Sequence, residues 1–176
     1  MKKWITLNTK EVFRGLLFKY LTVERESLDT GAKGKFDVLQ TIDWVNLIAL
    51  DEDKNVIMVK QYRHGNDQIT LEIPGGGNHP GEDPLIGAKR ELREETGYES
   101  EDWTFLGKTS PNPAFMGNYC YSYLARNCKK VGELQLDPLE EIEVVKVPLS
   151  DINSKIKSGE IDHSLVTVAF KYLDIL

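Results

Sequence analysis

Glu91, Glu94 and Glu95 are spaced i, i+3 and i+4 in a chain of 176 residues. On a helix, these three carboxylates share one face within about 100° of arc. Held that close, they disfavour joint ionisation unless a cation lies between them. Oxygen-only ligands select a hard ion, so Mg²⁺ is expected, with Mn²⁺ as a possible substitute. The three belong to a wider frame, in which Gly76, Glu82, Arg90, Glu91, Glu94, Glu95 and Gly97 stand at fixed distances within the stretch GGNHPGEDPLIGAKRELREETGY, residues 76–98. At ordinary residue usage such a set recurs by chance on the order of once in 10⁸ to 10⁹ windows, so the spacing carries meaning. A bare acidic run is more often a solvated helix face, here balanced by Arg90 and Arg93. Gly76 and Glu82 upstream tip the reading toward a metal site.

The neighbouring residues explain how the carboxylates would be positioned. Asp83-Pro84 reads as a helix start: Asp at the N-cap accepts from orphan amides, and Pro at the first position gives up an N–H that had no partner. Gly97 stands where a left-handed cap would end the helix. Leu85, Ala88 and Leu92 fall on another face and can anchor it to a core. Upstream, Leu71-Glu72-Ile73-Pro74 followed by Gly75-Gly76-Gly77 reads as a strand running into a loop of free backbone, whose carbonyls and amides can approach a metal or phosphate.

The first 41 residues read differently from the rest. Strand-like runs at Trp4–Leu7, Leu17–Ser27 and Lys35–Thr41 are separated by Asn8-Thr9-Lys10 and by residues 29–34, which suggests a small antiparallel sheet with no helix to cover it. Such a sheet must bury its apolar face against the main domain or a second subunit, so a homodimer is expected. Residues 42–176 read as the main domain. Strands at Val45–Leu50 and Val56–Gln61 flank a turn at residues 51–55, and further strands are expected near Trp103–Thr109, Tyr119–Arg126 and Glu143–Val147. One helix opened by Ser150 and ended near Gly159, and another over His163 to Leu173, close the chain. Mixed strands with helices on both faces give an α/β/α sandwich.

The formal net charge of −6 argues against a partner bound through a nucleic-acid backbone. No apolar run approaches the roughly 20 residues of a membrane span, and no secretory signal opens the sequence. Cys120 and Cys128 lack CxxC spacing, so reduced thiols and a cytoplasmic location are expected.

The stretch from Gly76 to Tyr98 resembles the Nudix box: glycine, five residues, glutamate, seven residues, then Arg-Glu-apolar-x-Glu-Glu-x-Gly-apolar, with every fixed position filled. Proteins with this box hydrolyse a nucleoside diphosphate linked to another group, using divalent metal. The N-terminal meander, Gln61-Tyr62-Arg63, the run Leu71 to Gly76, Pro113 downstream of the box, and Gly159-Glu160-Ile161-Asp162 as the start of the last helix resemble ADP-ribose pyrophosphatases and related nucleoside diphosphate sugar hydrolases. Two departures leave the sugar and the base open. Gly75-Gly76-Gly77 replaces a common alanine-glycine-lysine, and Ser110 to Asn118 lacks acidic residues often found there.

The resemblance implies roles residue by residue. Glu91 and Glu95 are direct metal ligands together with the main-chain carbonyl of Gly75. Glu94 completes the site or holds a metal-bound water, and Glu82 ligates directly or through water. Arg90 orients the glutamates by ion pairing. Arg63 contacts the diphosphate, since a guanidinium fork offers paired donors to phosphate oxygens, and Glu72 and Pro113 lie on the substrate side with it. The general base is Glu140 or Glu141, with a lean to Glu140. His64 could touch substrate, whereas His79 faces solvent. Trp4, Phe13, Phe18, Tyr20, Phe36 and Trp44 are each read as core before base-stacking partners. The expected activity is hydrolysis of ADP-ribose or a similar nucleotide sugar to a nucleoside monophosphate and a sugar phosphate. The alternatives are hydrolysis of nucleoside triphosphates or dinucleoside polyphosphates, isomerisation of a diphosphate ester, and nucleotide sensing without turnover.

Overall fold

In a computed structural model that describes residues 3–174, the chain divides into two compact units. The outermost residues of the two sequence-derived domains, 1–2 and 175–176, lie outside that range. The first unit comprises Met1–Ile42 with Ser110–Tyr119. Its three strands, β1 (Trp4–Arg14), β2 (Lys19–Ser27) and β3 (Lys33–Gln40), form an antiparallel sheet in sequence order. The sequence reading ends the first strand at Leu7, but β1 runs on through Asn8-Thr9-Lys10. Register shifts between Thr6 and Asn8 and between Glu11 and Phe13 absorb residues that break the alternation. Residues 110–119, kept with the main domain by sequence, are tied to this sheet by the Leu39 amide, which donates to Phe115 O at 2.8 Å. Every residue of β1 is exposed, Trp4, Ile5, Leu7, Val12 and Phe13 among them.

The second unit comprises Asp43–Thr109 and Cys120–Leu176. It opens with β4 (Trp44–Leu50), β5 (Asn55–Arg63), β6 (Gln68–Glu72) and β7 (Gly75–Gly77), followed by α1 (Pro84–Thr96). Next come β8 (Tyr98–Glu99), β9 (Asp102–Thr109), β10 (Cys120–Arg126), β11 (Lys129–Lys130) and β12 (Ile142–Pro148), then α2 (Ile152–Ser158) and α3 (Ser164–Leu173). The main sheet runs β12-β5-β4-β10-β9, with β6 added to β5 and β7 to β4; β4 and β10 are parallel and the other pairs antiparallel. The small β8–β11 ladder lies outside it and has no counterpart in the sequence reading.

Strand alternation assigns the two faces. Val45, Leu47 and Ala49 of β4 pack with Ile57, Tyr123, Ala125 and the Ala88 and Leu92 side chains of α1. Ile48 points the other way, into a core with Met58, Leu124, Ile152, Val166, Ala169 and Phe170 from α2 and α3. The α/β/α layering expected from sequence is therefore present. Cys120 and Cys128 are buried free thiols, and burial pushes each up to about 12. Among the described residues no helix is long and apolar enough to cross a membrane.

Two details near the end of the chain differ from expectation. Ser150 lies inside a 3₁₀ turn, Leu149–Asp151, and α2 begins only at Ile152. Gly159 to Asp162 do not start the last helix: Gly159 caps α2 in the left-handed region, and Ile161 plugs the core as the chain turns toward α3.

Leu92 is fully buried and fixes the rotation of α1. Leu92→Ala is expected to cost about 2–5 kcal/mol of stability, measured by urea unfolding, because the site cannot collapse around the missing methyls.

Candidate active site

The helix that carries the glutamates begins and ends as its residues dictate. The Asp83 carboxylate accepts from the Leu85 amide at 2.8 Å, and Gly97 adopts φ 72°, ψ 15° while its N–H returns to Arg93 O. With Ala88 and Leu92 held in the core, Glu91 and Glu95 face the sheet and are 7% and 3% exposed; Glu94 is half-buried. Burial raises the pKa of Glu91, reinforced by the charges of Glu94 and Glu140 and opposed by Arg90. Burial lifts Glu95 further, well above the ordinary carboxylate range, with Glu91 and Glu140 adding repulsion.

The triple glycine is not a free loop. It forms β7, a short strand whose Gly75, Gly76 and Gly77 stand opposite Asn46, Val45 and Trp44. β4 pairs with β5 only at Ala49 and Leu50, which leaves the first half of β4 for these glycines. Side chains are excluded here on steric grounds. A Cβ at Gly75 would lie 2.3 Å from Val45 O, and one at Gly76 would lie 2.6 Å from Glu91 Oε1. The Gly75 amide donates to Glu95 Oε2 at 2.9 Å, so backbone and carboxylate meet directly. Gly76→Ala is expected to push the Glu91 carboxylate aside and to lower activity on the order of 10- to 100-fold. Its melting temperature should change little, because the obstructing atoms are the movable end of a side chain.

One guanidinium organises the remaining acids. Arg90 donates to Glu82 through Nε and Nη2, to Glu91 and Glu94 through Nη1 at 2.8 and 3.0 Å, and to Gly77 O through Nη2. Arg90 thus gathers Glu82, Glu91 and Glu94 around one guanidinium. Glu82 also accepts the His79 amide, and the hydrogen bond from Arg90 is the main reason its pKa lies low. Among the described residues no three acidic, histidine or cysteine side chains already converge on an ion position. The donor set still suits a hard cation: two buried carboxylates that resist joint ionisation, and a glycine cradle that any Cβ would fill.

Arg63 and Glu72 project from one face of the β5–β6 ladder. Arg63 Nε and Nη2 form a fork onto Glu72, each at 2.8 Å, and Thr70 Oγ1 donates to the same carboxylate at 2.6 Å. Burial works against the charge on Glu72, but these hydrogen bonds outweigh it and hold its pKa below the ordinary value. Glu72 is thus the residue that aims Arg63. His64 is exposed and lies edge-on to Tyr62, and His79 is exposed.

The acidic loop separates its two candidates. Glu140 is half-buried, and its charge acts on Glu91, Glu95 and Arg63, whereas Glu141 is exposed. The Glu140 carboxylate accepts the Asp137 amide, which braces the loop. Pro113 belongs to the first unit, where it lines a cavity of about 370 Å³ with Trp4, Arg25, Phe36, Phe115 and Met116. Trp4 and Phe36 meet there edge to face, and Trp4, Phe13, Phe18 and Phe36 are all exposed rather than core.

The chain is also similar to known proteins. A model of the NUDIX domain matches residues 41–168. The chain is 32% identical over 171 residues to the methanol dehydrogenase activator of Bacillus methanolicus, covering 97% of this chain and 92% of that one. It is 30% identical, with the same coverage, to an ADP-ribose pyrophosphatase of Bacillus subtilis. A crystal structure of an ADP compounds hydrolase superposes with a TM-score of 0.87, covering 99% of this chain and 94% of that one at 24% identity, a likeness of fold. With every fixed box position filled and the glutamate helix set against a glycine strand, the chain belongs to the Nudix family.

Proposed function

We propose that this chain hydrolyses the diphosphate of ADP-ribose or a related nucleoside diphosphate sugar, giving a nucleoside monophosphate and a sugar phosphate. The observation that carries the reading is the buried pair Glu91 and Glu95 against a strand of glycines, a pair that ionises together only when a cation compensates it. The substrate class follows relatives of Bacillus subtilis and Mycobacterium tuberculosis, both named ADP-ribose pyrophosphatase.

In this mechanism Glu91, Glu95 and the Gly75 carbonyl would hold Mg²⁺, or Mn²⁺ in its place, and Glu94 and Glu82 would complete the set directly or through water. The chemistry such an ion would supply is neutralisation of the diphosphate oxygens and a more nucleophilic water. Arg63, aimed by Glu72, keeps Nη1 outside the fork and offers it to the diphosphate. Glu140, next to the two buried glutamates in charge if not in sequence, takes the proton of the attacking water. Arg90 holds Glu82, Glu91 and Glu94 at their posts. The test is a screen of nucleotide sugars, dinucleotides and triphosphates with Mg²⁺ and with Mn²⁺, reading the phosphorylated products. Preference for a triphosphate would refute the substrate assignment.

A second reading rests on the Bacillus methanolicus relative, named for activating methanol dehydrogenase. In it the same hydrolysis serves a partner enzyme, and adding the chain to a methanol dehydrogenase while following alcohol oxidation tests it.

We further read the protein as a cytoplasmic homodimer with no nucleic-acid or membrane partner. The exposed apolar side chains of β1, and of Leu16 and Leu17 beyond it, support the dimer. Sedimentation at micromolar concentration checks this, and a monomer would end the idea.

A further inference from the structure

The loop between β7 and α1 delivers Glu82 to the acid cluster, and its own residues pin it in place. The Asn78 main-chain amide donates to Asp43 O at 2.9 Å, and the Glu82 amide donates to His79 O at 2.9 Å. The Asn78 side chain spans the loop, its Nδ2 donating to Glu82 O at 2.9 Å. Asn78 is buried, at 8% exposure. With Nδ2 on that carbonyl, Oδ1 is turned the other way, fully covered and without a hydrogen-bond partner among the described residues. A covered carbonyl oxygen without a donor costs stability, so something other than its own satisfaction keeps the amide there.

Gly87 completes the arrangement. It is a buried residue in the first half of α1, where glycine weakens a helix relative to alanine. A Cβ at Gly87 would stand 2.3 Å from Asn78 Oδ1 and 3.1 Å from Glu82 Oε2. The bare backbone of Gly87 therefore leaves the space into which the Asn78 amide and the Glu82 carboxylate both fit. The same Oε2 accepts from the His79 amide and from Arg90 Nη2, while Oε1 accepts from Arg90 Nε. Asn78 thus holds the main chain of Glu82, and Gly87 makes room for its side chain. Arg90 passes that position on to Glu91 and Glu94.

We propose that Asn78 and Gly87 are a positioning pair for Glu82, holding its carboxylate at the edge of the metal site; this rests on the metal-dependent reading above. Both act through Glu82 and neither is a catalytic residue. The test compares wild type with Asn78→Ala, Gly87→Ala and the double variant, without substrate. Two quantities are read: the melting temperature of the metal-free chain, and Mn²⁺ affinity from the electron paramagnetic resonance signal of the free ion. Gly87→Ala alone is expected to lower the melting temperature by roughly 2–6 °C, because the new methyl displaces the Asn78 amide. In the Asn78→Ala background the same substitution should raise it by about 1–4 °C, since the methyl enters vacated space and strengthens the helix. Mn²⁺ should bind about tenfold more weakly to all three variants, because each loses or distorts the bond from Nδ2 to Glu82 O. Stability that recovers in the double variant while affinity does not separates holding Glu82 from holding the fold. A melting temperature raised equally by Gly87→Ala in both backgrounds overturns the pairing. So does Mn²⁺ affinity within about twofold of wild type in Asn78→Ala. Wild type that binds no Mn²⁺ removes the metal site, and the role of the pair with it. Wild type that binds Mn²⁺ but cleaves no nucleoside diphosphate derivative refutes only the hydrolase reading, and the affinities then decide the positioning role by themselves.

Discussion

Glu95→Gln is expected to lower kcat by about 10³-fold or more while leaving the circular dichroism spectrum unchanged. Glutamine keeps the shape and can still accept from the Gly75 amide, but it brings no charge to a cation. Losing several kcal/mol of transition-state stabilisation costs roughly tenfold per 1.4 kcal/mol. The same variant carries a stability signature without metal. Burial raises the pKa of Glu95 in the folded chain well above its unfolded value. Folded protein therefore binds more protons than unfolded protein between those two values, so stability is full below the unfolded pKa and is lost as pH rises through the folded one. Metal-free wild type should lose melting temperature as pH rises above the ordinary carboxylate range, and Glu95→Gln should flatten that fall, leaving the share contributed by Glu91. Near-normal turnover by Glu95→Gln would refute the role given to this carboxylate.

Arg90→Leu is expected to have the second largest effect, and its direction depends on metal. The guanidinium is the shared partner of Glu82, Glu91 and Glu94. Removing one partner of a buried ion pair costs about 3–5 kcal/mol, and partial solvent access here reduces that to roughly 1–3 kcal/mol. Three carboxylates without their arginine repel one another, and a divalent ion relieves that repulsion. Millimolar Mg²⁺ should therefore raise the melting temperature of Arg90→Leu more than that of wild type. Activity should fall as well, because the ligands lose their orientation. A melting temperature equally insensitive to Mg²⁺ in both proteins would contradict this account of Arg90.

The glutamate helix was fully legible in the sequence because its signals are local. Asp83, Pro84 and Gly97 bound it, and Leu85, Ala88 and Leu92 orient it, all within a few turns of the residues they position. Features built by distant pairing were less legible. The glycines read as a loop, since nothing in Gly75-Gly76-Gly77 announces that β4 leaves half its edge open for them. The fork of Arg63 on Glu72 depends on the register of β5 against β6, which residue types alone do not set. Asn8-Thr9-Lys10 read as a break because polar residues usually end strands; on a strand exposed along its whole length, burial exerts no such selection. Residue types alone do not separate Glu140 from Glu141, because the difference between them, one half-buried and the other exposed, depends on how the loop folds.

The most direct test of the central claim is ³¹P nuclear magnetic resonance of ADP-ribose incubated with the purified chain, with Mg²⁺ and with excess chelator. Disappearance of the diphosphate signals only when metal is present, with AMP and ribose 5-phosphate appearing in equal amounts, is the predicted result. An intact diphosphate in both samples, or cleavage that persists in chelator, would contradict a metal-dependent hydrolase built on Glu91 and Glu95.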